Sequence, residues 1–383
     1  MIRILFVDDE PNVLHAMRRA MHCMREEWQM EFVSSGSAAL ETLAKTPADV
    51  IVSDMRMPGM DGWELLAEVK RLYPQTVRLV LSGYAEAGAI MRLVGSAHQY
   101  IAKPGESEAL KAAIAQTQMM RGLLSDESLA RIVGEVSLLP SLPQAFYEIS
   151  NCLRRPNATV GDAARIISRD VAMTANVMKL VNSAFFGARR QISNVERAVS
   201  YLGFDSLITL VLGHGLFAVG AANMEALWEH SIQTAIAART IAVAEKLSQI
   251  RVDEAFLTGM LHDVGRVVLA TRTVDRKWQS PEAAYADQHH AEVGAYLLGL
   301  WGFPSHVVEA VALHHAPKRR VEKSLDLTVL VHTADRLVRV AQSLPSAEES
   351  GVEPGLLEDL GLQDRWAAWV AAMPDHAASE SVA

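Results

Sequence analysis

The chain has 383 residues, 50% of them hydrophobic, and a formal charge of −9 with histidine neutral. That length exceeds one ordinary core and sets two domains as the expectation, and the acidic balance argues against general nucleic-acid binding. Cys23 and Cys152, far apart and unpatterned, exclude a disulfide framework or a zinc-cysteine site. No apolar run approaches the ~18 residues of a membrane span, and the opening MIRILFVDDE turns acidic too early for a secretory signal. A cytoplasmic protein is expected.

Residues 1–120 alternate strand and helix. The apolar run Ile2 to Val7 predicts a strand ending in Asp8-Asp9, and Pro11 to Met24 a helix with proline in its first turn. A strand over Met30 to Ser34, a helix over Ser37 to Ala44 and a strand over Asp49 to Ser53 follow. Gly62 to Leu72 reads as helix, Val77 to Leu81 as a strand ending in Ser82, and Ala85 to Val94 as helix. Gln99 to Ala102 is the last strand, ending in Lys103-Pro104, and Ser107 to Met119 the last helix. Five such units predict a doubly wound parallel sheet covered on both faces.

Ligand chemistry in open α/β sheets sits outside the carboxyl ends of the strands. There Asp8 and Asp9 close the first strand, Asp54 the third, Ser82 the fourth and Lys103 the fifth. Gathered carboxylates repel unless a cation joins them, and hard oxygen ligands suit Mg²⁺. An aspartate carboxylate can itself be the nucleophile that takes a phosphoryl group, with a lysine and a hydroxyl stabilising the transferred charge. Pro58-Gly59 and Asp61-Gly62 turn the chain sharply after Asp54.

This pattern resembles the receiver domain of bacterial response regulators, a flavodoxin-like (βα)5 fold. The resemblance makes Asp54 the phosphoacceptor and Asp8 and Asp9, with Asp54 and the carbonyl of Arg56, the Mg²⁺ site. Ser82 and Lys103 become the phosphate contacts and Tyr100 the switch aromatic. It also implies a sensor histidine kinase as partner.

Residues 121–135 read as a helical linker. After Leu139-Pro140-Ser141-Leu142-Pro143 helical apolar spacing dominates to about residue 340, so the fold class is α/β plus all-α. Capping boxes at Thr159-x-x-Asp162 and Ser193-x-x-Glu196 predict helix starts, and Gly187 and Gly203 helix breaks. Ile166, Ile167, Val171, Met173 and Val177 read as core. In FLTGMLHDVGR, Leu257, Met260, Leu261 and Val264 form an apolar helical face, with His262 and Asp263 beside it and partly buried. Histidines and carboxylates drawn from separate helices are ligands for Zn, Mn or Fe.

The segments LLPSLPQA, IISRDVAMTANVMKLVNSAFFG and ISNVERAVSYLGF resemble the amino-terminal half of the HDOD output domain, a relative of the HD phosphohydrolases. The resemblance over residues 136–340 implies an HD-type metal site at His230, His262, Asp263, His290, His314 or His315, and Asp335. Arg266 replaces the lysine of active relatives and is a candidate phosphate contact. The cyclic di-GMP phosphodiesterases also carry a GYP-type loop after the paired histidines; here His314-His315 runs into Ala316-Pro317-Lys318-Arg319-Arg320. That short basic cluster reads as a solvated loop. Residues 341–383 form a C-terminal extension: a loop from Ser343 to Pro354, a short amphipathic helix from Leu356 to Val370, and a disordered tail from Pro374.

Two readings follow. In the first, phosphorylated Asp54 switches the helical domain, which signals by contact with a downstream protein; a homodimer is compatible with this. In the second, the receiver controls a metal-dependent phosphohydrolase or phosphodiesterase. The missing loop and Arg266 favour the first, and the retained ligand-type residues keep the second open.

Overall fold

The computed structural model describes residues 1–82, 96–102, 107–121, 127–136, 139–141, 143–153, 155, 157–182, 191–203, 207, 218–219, 225–273, 289–319, 324–341, 352–353 and 355–373. Strands β1 (Ile2–Val7), β2 (Trp28–Val33), β3 (Val50–Asp54), β4 (Val77–Ser82) and β5 (Gln99–Ala102) form a parallel sheet of order β2-β1-β3-β4-β5. That is the flavodoxin-like order, with its switch point between β1 and β3. Successive side chains point to opposite faces. Ile4, Phe6, Val52 and Leu79 therefore enter one apolar cluster, and Leu5, Val7, Ile51 and Val80 the other. Helices α1 (Pro11–Ala20), α2 (Gly36–Lys45), α3 (Gly62–Leu72) and α4 (Ser107–Arg121) complete the described part of this unit.

Some boundaries move. The first helix stops at Ala20, and His22–Met24 is a separate 3-10 turn. Strand β2 begins two residues early, at Trp28, which is buried. Strand β3 runs one residue further, so Asp54 is its last residue. The helix expected over residues 85–94 lies outside the described residues.

Beyond α5 (Glu127–Glu135) come α6 (Pro143–Leu153), α7 (Val160–Ile167), α8 (Val171–Val181) and α9 (Val195–Leu202). They are followed by α10 (Glu225–Ala244), α11 (Gln249–Leu261), α12 (Val264–Thr273), α13 (His290–Leu300), α14 (Ser305–Leu313) and α15 (Leu327–Ala341). One departure from an all-helical domain is the two-residue parallel pairing of β6 (Pro140–Ser141) with β7 (Ala218–Val219). The Thr159–Asp162 capping box opens α7 as the spacing predicts. Helix α9 is capped one residue later than expected: Asn194, not Ser193, accepts from the Arg197 amide. Either side chain can cap, and the choice of one residue is set by packing. Gly203 ends α9 with φ 79; Gly187 lies outside the described residues.

Every residue of α8 is buried, including Met173 and Val177, which makes it the central helix of its neighbourhood; Ile167 is buried and Ile166 half-buried. At the C-terminal side the expected single helix is α16 (Leu356–Asp359), a 3-10 turn Gln363–Arg365 and α17 (Trp366–Ala372). It packs back on α10, where Glu245 accepts from Trp369 Nε1 at 2.8 Å and pairs with Arg365 at 2.7 Å. The basic cluster is a 3-10 turn, Pro317–Arg319, whose Lys318 lies 3.4 Å from Asp359. Residue 320, most of the loop 343–354 and the tail from Pro374 lie outside the described residues. No described helix is long and apolar enough to cross a membrane.

Candidate phosphoacceptor site and metal centre

The register places the acidic residues at one edge of the sheet. Val7 pairs with Ser53 and Asp54 with Leu81, so Asp8 and Asp54 leave adjacent strand ends together. Asp8 is 1% exposed and accepts from the Glu10 amide at 2.9 Å; Asp9 is half-buried. Asp54 Oδ2 accepts from the Arg56 amide at 2.8 Å, and Ser53 Oγ donates to the Asp54 carbonyl at 2.7 Å. The Gly62 amide donates to Met55 O at 3.0 Å and closes the Pro58-Gly59 loop into α3. At Gly62 an added Cβ would lie 2.1 Å from Asp54 O, so only glycine allows that closure. The Asp61–Glu64 capping box then starts α3.

Ser82 ends β4 in register with Ala102, and Tyr100 pairs with Val80 on the neighbouring strand. Lys103 lies outside the described residues. The donor set of three carboxylates at a strand edge is of the hard-oxygen type that Mg²⁺ takes. Asp8, Asp9 and Asp54 do not form a group with ligand atoms all within 4.8 Å; among the described residues only the histidine clusters do so.

Those clusters lie in the helical region. Asp263, His290, His314 and His315 form one group, and His230, His262 and Asp335 the other. His230 comes from the second turn of α10, His290 opens α13, His314 caps α14 and Asp335 lies on α15. His262 and Asp263 occupy the turn between α11 and α12, so the apolar face that the spacing places on one helix is split there. Nor are they partly buried: His262 is 0% and Asp263 2% exposed. Glycines make the approach possible. A Cβ on Gly265 would meet His290 O at 1.9 Å, and one on Gly259 the Ala235 Cα at 2.8 Å.

Asp263 joins the two groups. Its Oδ1 lies 3.0 Å from His290 Nε2 and 3.7 Å from His314 Nε2; its Oδ2 lies 3.6 Å from His262 Nε2 and 4.0 Å from His230 Nε2. Asp335 Oδ1 is 3.0 Å from His230 Nε2 and 3.8 Å from His262 Nε2. His290 and His315 meet Nε2 to Nε2 at 2.9 Å. Arg266 lies 3.1 Å from Asp263 and Arg339 2.9 Å from Asp335, so the expected phosphate contact is engaged with the carboxylate.

The imidazoles are oriented by their other nitrogen. His262 Nδ1 lies 2.7 Å from Gly259 O and His314 Nδ1 2.7 Å from Val311 O, which fixes the proton on Nδ1. Each Nε2 is then a lone pair, buried and without a hydrogen-bond partner. Buried polar atoms are normally satisfied, so this set fits a divalent transition metal of the Zn, Mn or Fe type. Burial pushes the His262 imidazole down to about 4, Asp263 offsetting only part of that. Burial alone would raise Asp263 and Asp335. Instead His262 with His290 and His314 holds Asp263 well below the usual carboxylate range, and His230 with His262 and Arg339 does the same for Asp335. Neutral imidazole beside ionised carboxylate is the protonation state that ligation requires. His315 is exposed, so the cluster reaches solvent on that side.

Two further residues support the cluster. Arg339 carries the signal of its i+4 spacing from Asp335. His332, 1% exposed, sits 2.7 Å from the His314 carbonyl through Nδ1 and accepts from the Glu353 amide at 3.0 Å, and so braces the paired-histidine turn; nothing in its spacing marks it.

Comparison with known proteins decides the family. The response regulator receiver domain matches residues 4–115 and the HDOD domain residues 139–317. The chain is a receiver–HDOD response regulator. It is 38% identical over 213 residues to the hydrogenase transcriptional regulatory protein HoxA of Cupriavidus necator, covering 52% of this chain and 42% of HoxA. To an uncharacterised protein of Treponema pallidum it is 27% identical over 231 residues, 55% of this chain and 44% of that one. The chain thus spans less than half the length of these relatives. The MmoQ response regulator of Methylococcus capsulatus aligns in structure with a TM-score of 0.48 and 22% identity, over 61% of this chain and 98% of MmoQ.

Proposed function

We propose that this receiver–HDOD protein is a two-component response regulator in which phosphorylation of Asp54 controls a helical output domain organised on a metal centre. The observation that carries the output side is the burial of unpartnered His262 and His314 Nε2 lone pairs around Asp263. A cytoplasmic sensor histidine kinase supplies the phosphoryl group. Asp8, Asp9, Asp54 and the Arg56 carbonyl hold Mg²⁺, and Ser82, Tyr100 and Lys103 read the phosphoryl group. The functional partition is a receiver over residues 1–120, a linker over 121–135, the output domain over 136–340 and an extension over 341–383. Output is by contact with a downstream protein through an output-domain surface that the metal centre keeps in one shape by tying α10, α13, α14 and α15 to the α11–α12 turn. Acetyl phosphate with Mg²⁺ tests the receiver: labelling occurs in wild type and is lost in Asp54→Asn, whereas equal labelling of the variant overturns the assignment.

A second reading is hydrolysis of a phosphoester, favoured by the exposed His315 side of the cluster. A two-ion centre would supply activated water and charge stabilisation there. The chain's own part is to orient the imidazoles through Gly259 O and Val311 O and to keep Asp263 ionised. Metal-dependent turnover of phosphodiester or phosphomonoester substrates, lost in Asp263→Ala, identifies this reading; absence of turnover with metal bound identifies the first.

A further inference from the structure

One helix touches both candidate sites. Helix α13 begins at His290, 3.0 Å from Asp263 in the histidine cluster, and its far end lies against the receiver. There Gln99 Nε2 on β5 donates to Gly299 O at 3.2 Å, and Gln116 Nε2 on α4 donates to Phe303 O at 2.8 Å. Gly302 turns the chain with φ 77 and packs against the Gln99 side chain, which an added Cβ would meet at 3.2 Å. Leu297, Leu300 and Trp301 of this segment share one buried apolar cluster with Ile101 and Ile114 of the receiver.

The receiver side of this contact is itself anchored. Helix α5 also packs on α13, and its Gly134 carbonyl accepts from Arg78 Nη2 at 2.7 Å. Arg78, on β4 and 1% exposed, also donates to Ser96 O at 2.6 Å and Thr76 O at 3.0 Å, with His98 Nε2 2.9 Å away. A Cβ on Gly134 would lie 2.1 Å from Pro74 O, so α5 meets the receiver backbone directly. Helices α4 and α5 therefore travel with the sheet, and α13 lies against both.

At its other end α13 has equally little freedom. Gly294 and Gly265 let α13 and α12 touch backbone to backbone, two residues past Asp263: a Cβ on Gly294 would meet Gly265 N at 3.0 Å. A shift of α13 along or about its axis must move His290 relative to Asp263. Close-packed interfaces pass such shifts on rather than absorb them.

We propose that α13 is a mechanical link through which Asp54 phosphorylation and metal affinity at the Asp263–His290 cluster are reciprocally coupled, so that the protein responds jointly to kinase and to divalent metal. This rests on the metal-centre reading above. Its size, for a coupling of ordinary strength, is about fivefold or more in affinity. Strand β5 carries both Tyr100 and Gln99, so a change at the phosphoacceptor edge reaches the α13 contact within one strand.

The test is Mn²⁺ titration of metal-stripped full-length protein by calorimetry in saturating Mg²⁺, which fills the receiver site, with and without beryllofluoride bound at Asp54. Amide exchange of α13 serves as a second readout. Wild type shows a Mn²⁺ affinity change of about fivefold or more, with altered exchange across α13. The Gln99→Ala/Gln116→Ala double variant still binds both ligands but shows one Mn²⁺ affinity in both states. Equal affinities in wild type overturn the coupling, as does coupling of undiminished size in the double variant. With the receiver site filled by Mg²⁺, Mn²⁺ binding that persists undiminished in Asp263→Ala rejects the metal-centre reading, and this proposal with it. Because that variant and the double variant answer separately, the two failures are distinguishable.

Discussion

At the scale of single residues, chemistry is set by what holds each reactive atom. Asp54 is useful because β3 carries it to the sheet edge and Gly62 lets the following loop close over its backbone. Gly62→Ala must push Cβ into a rigid carbonyl, not into a flexible side chain. We expect it to cost about 1–3 kcal/mol, the usual range for overpacking, and to slow acetyl phosphate labelling of Asp54. Urea denaturation and labelling measured together check this; wild-type values in both would contradict it. In the helical domain the same logic applies to tautomers. Backbone carbonyls at Gly259 and Val311 hold the protons of His262 and His314 away from the cluster, leaving lone pairs turned inward. His262→Ala or His314→Ala removes a ligand, and each is expected to lower metal affinity by more than tenfold in a competition assay with a chromogenic chelator. Unchanged affinity in both would mean the metal is held elsewhere.

At the scale of elements, local signals fixed the starts of helices but not always the capping residue. Thr159 meets Asp162 in a reciprocal pair, and Thr159→Ala is expected to lower stability by about 1 kcal/mol through the lost N-cap. A matching Ser193 box does not form, because Asn194 takes that role. The strand ends of the receiver were legible since each apolar run stops at a polar residue on the same edge. Two features left no signal: the β6–β7 pairing is only two residues on each side, and the Arg78–His98–Gly134 hub joins three elements distant in sequence. That hub has a pH consequence. Burial, with Arg78 adding to it, holds the His98 imidazole well below 6.5. Below pH 6.5 the unfolded chain binds a proton that the folded chain refuses, so stability falls as pH falls. This contributes up to about 1.4 kcal/mol for each pH unit between the two pKa values. The drop in melting temperature from pH 7.5 to 5.5 should be smaller in His98→Gln than in wild type. An equal drop would show that other groups carry the whole effect.

At the scale of the molecule, the division into an α/β unit and a helical unit followed from alternation giving way to helical spacing after residue 139. The seven candidate ligands were recognisable by residue type and by resemblance to HD proteins, but their convergence was not, because spacing along a chain says nothing about convergence in space. Their convergence depends on packing of α10, α13, α14 and α15 around the α11–α12 turn, with Gly259 and Gly265 permitting the close crossings. A metal held at the proposed centre by the folded helices alone would stabilise them by an amount that grows with the logarithm of free metal above its Kd. Chelation should therefore lower the melting temperature of the whole helical domain, read by calorimetry, and added Mn²⁺ or Zn²⁺ should restore it. The most direct test of the account is elemental analysis of full-length protein purified without chelators, wild type beside Asp263→Ala. Wild type should hold at least one tightly bound divalent transition metal ion per chain, and the variant should lose it. A metal-free wild type that binds none on titration, or equal metal in both proteins, would contradict it.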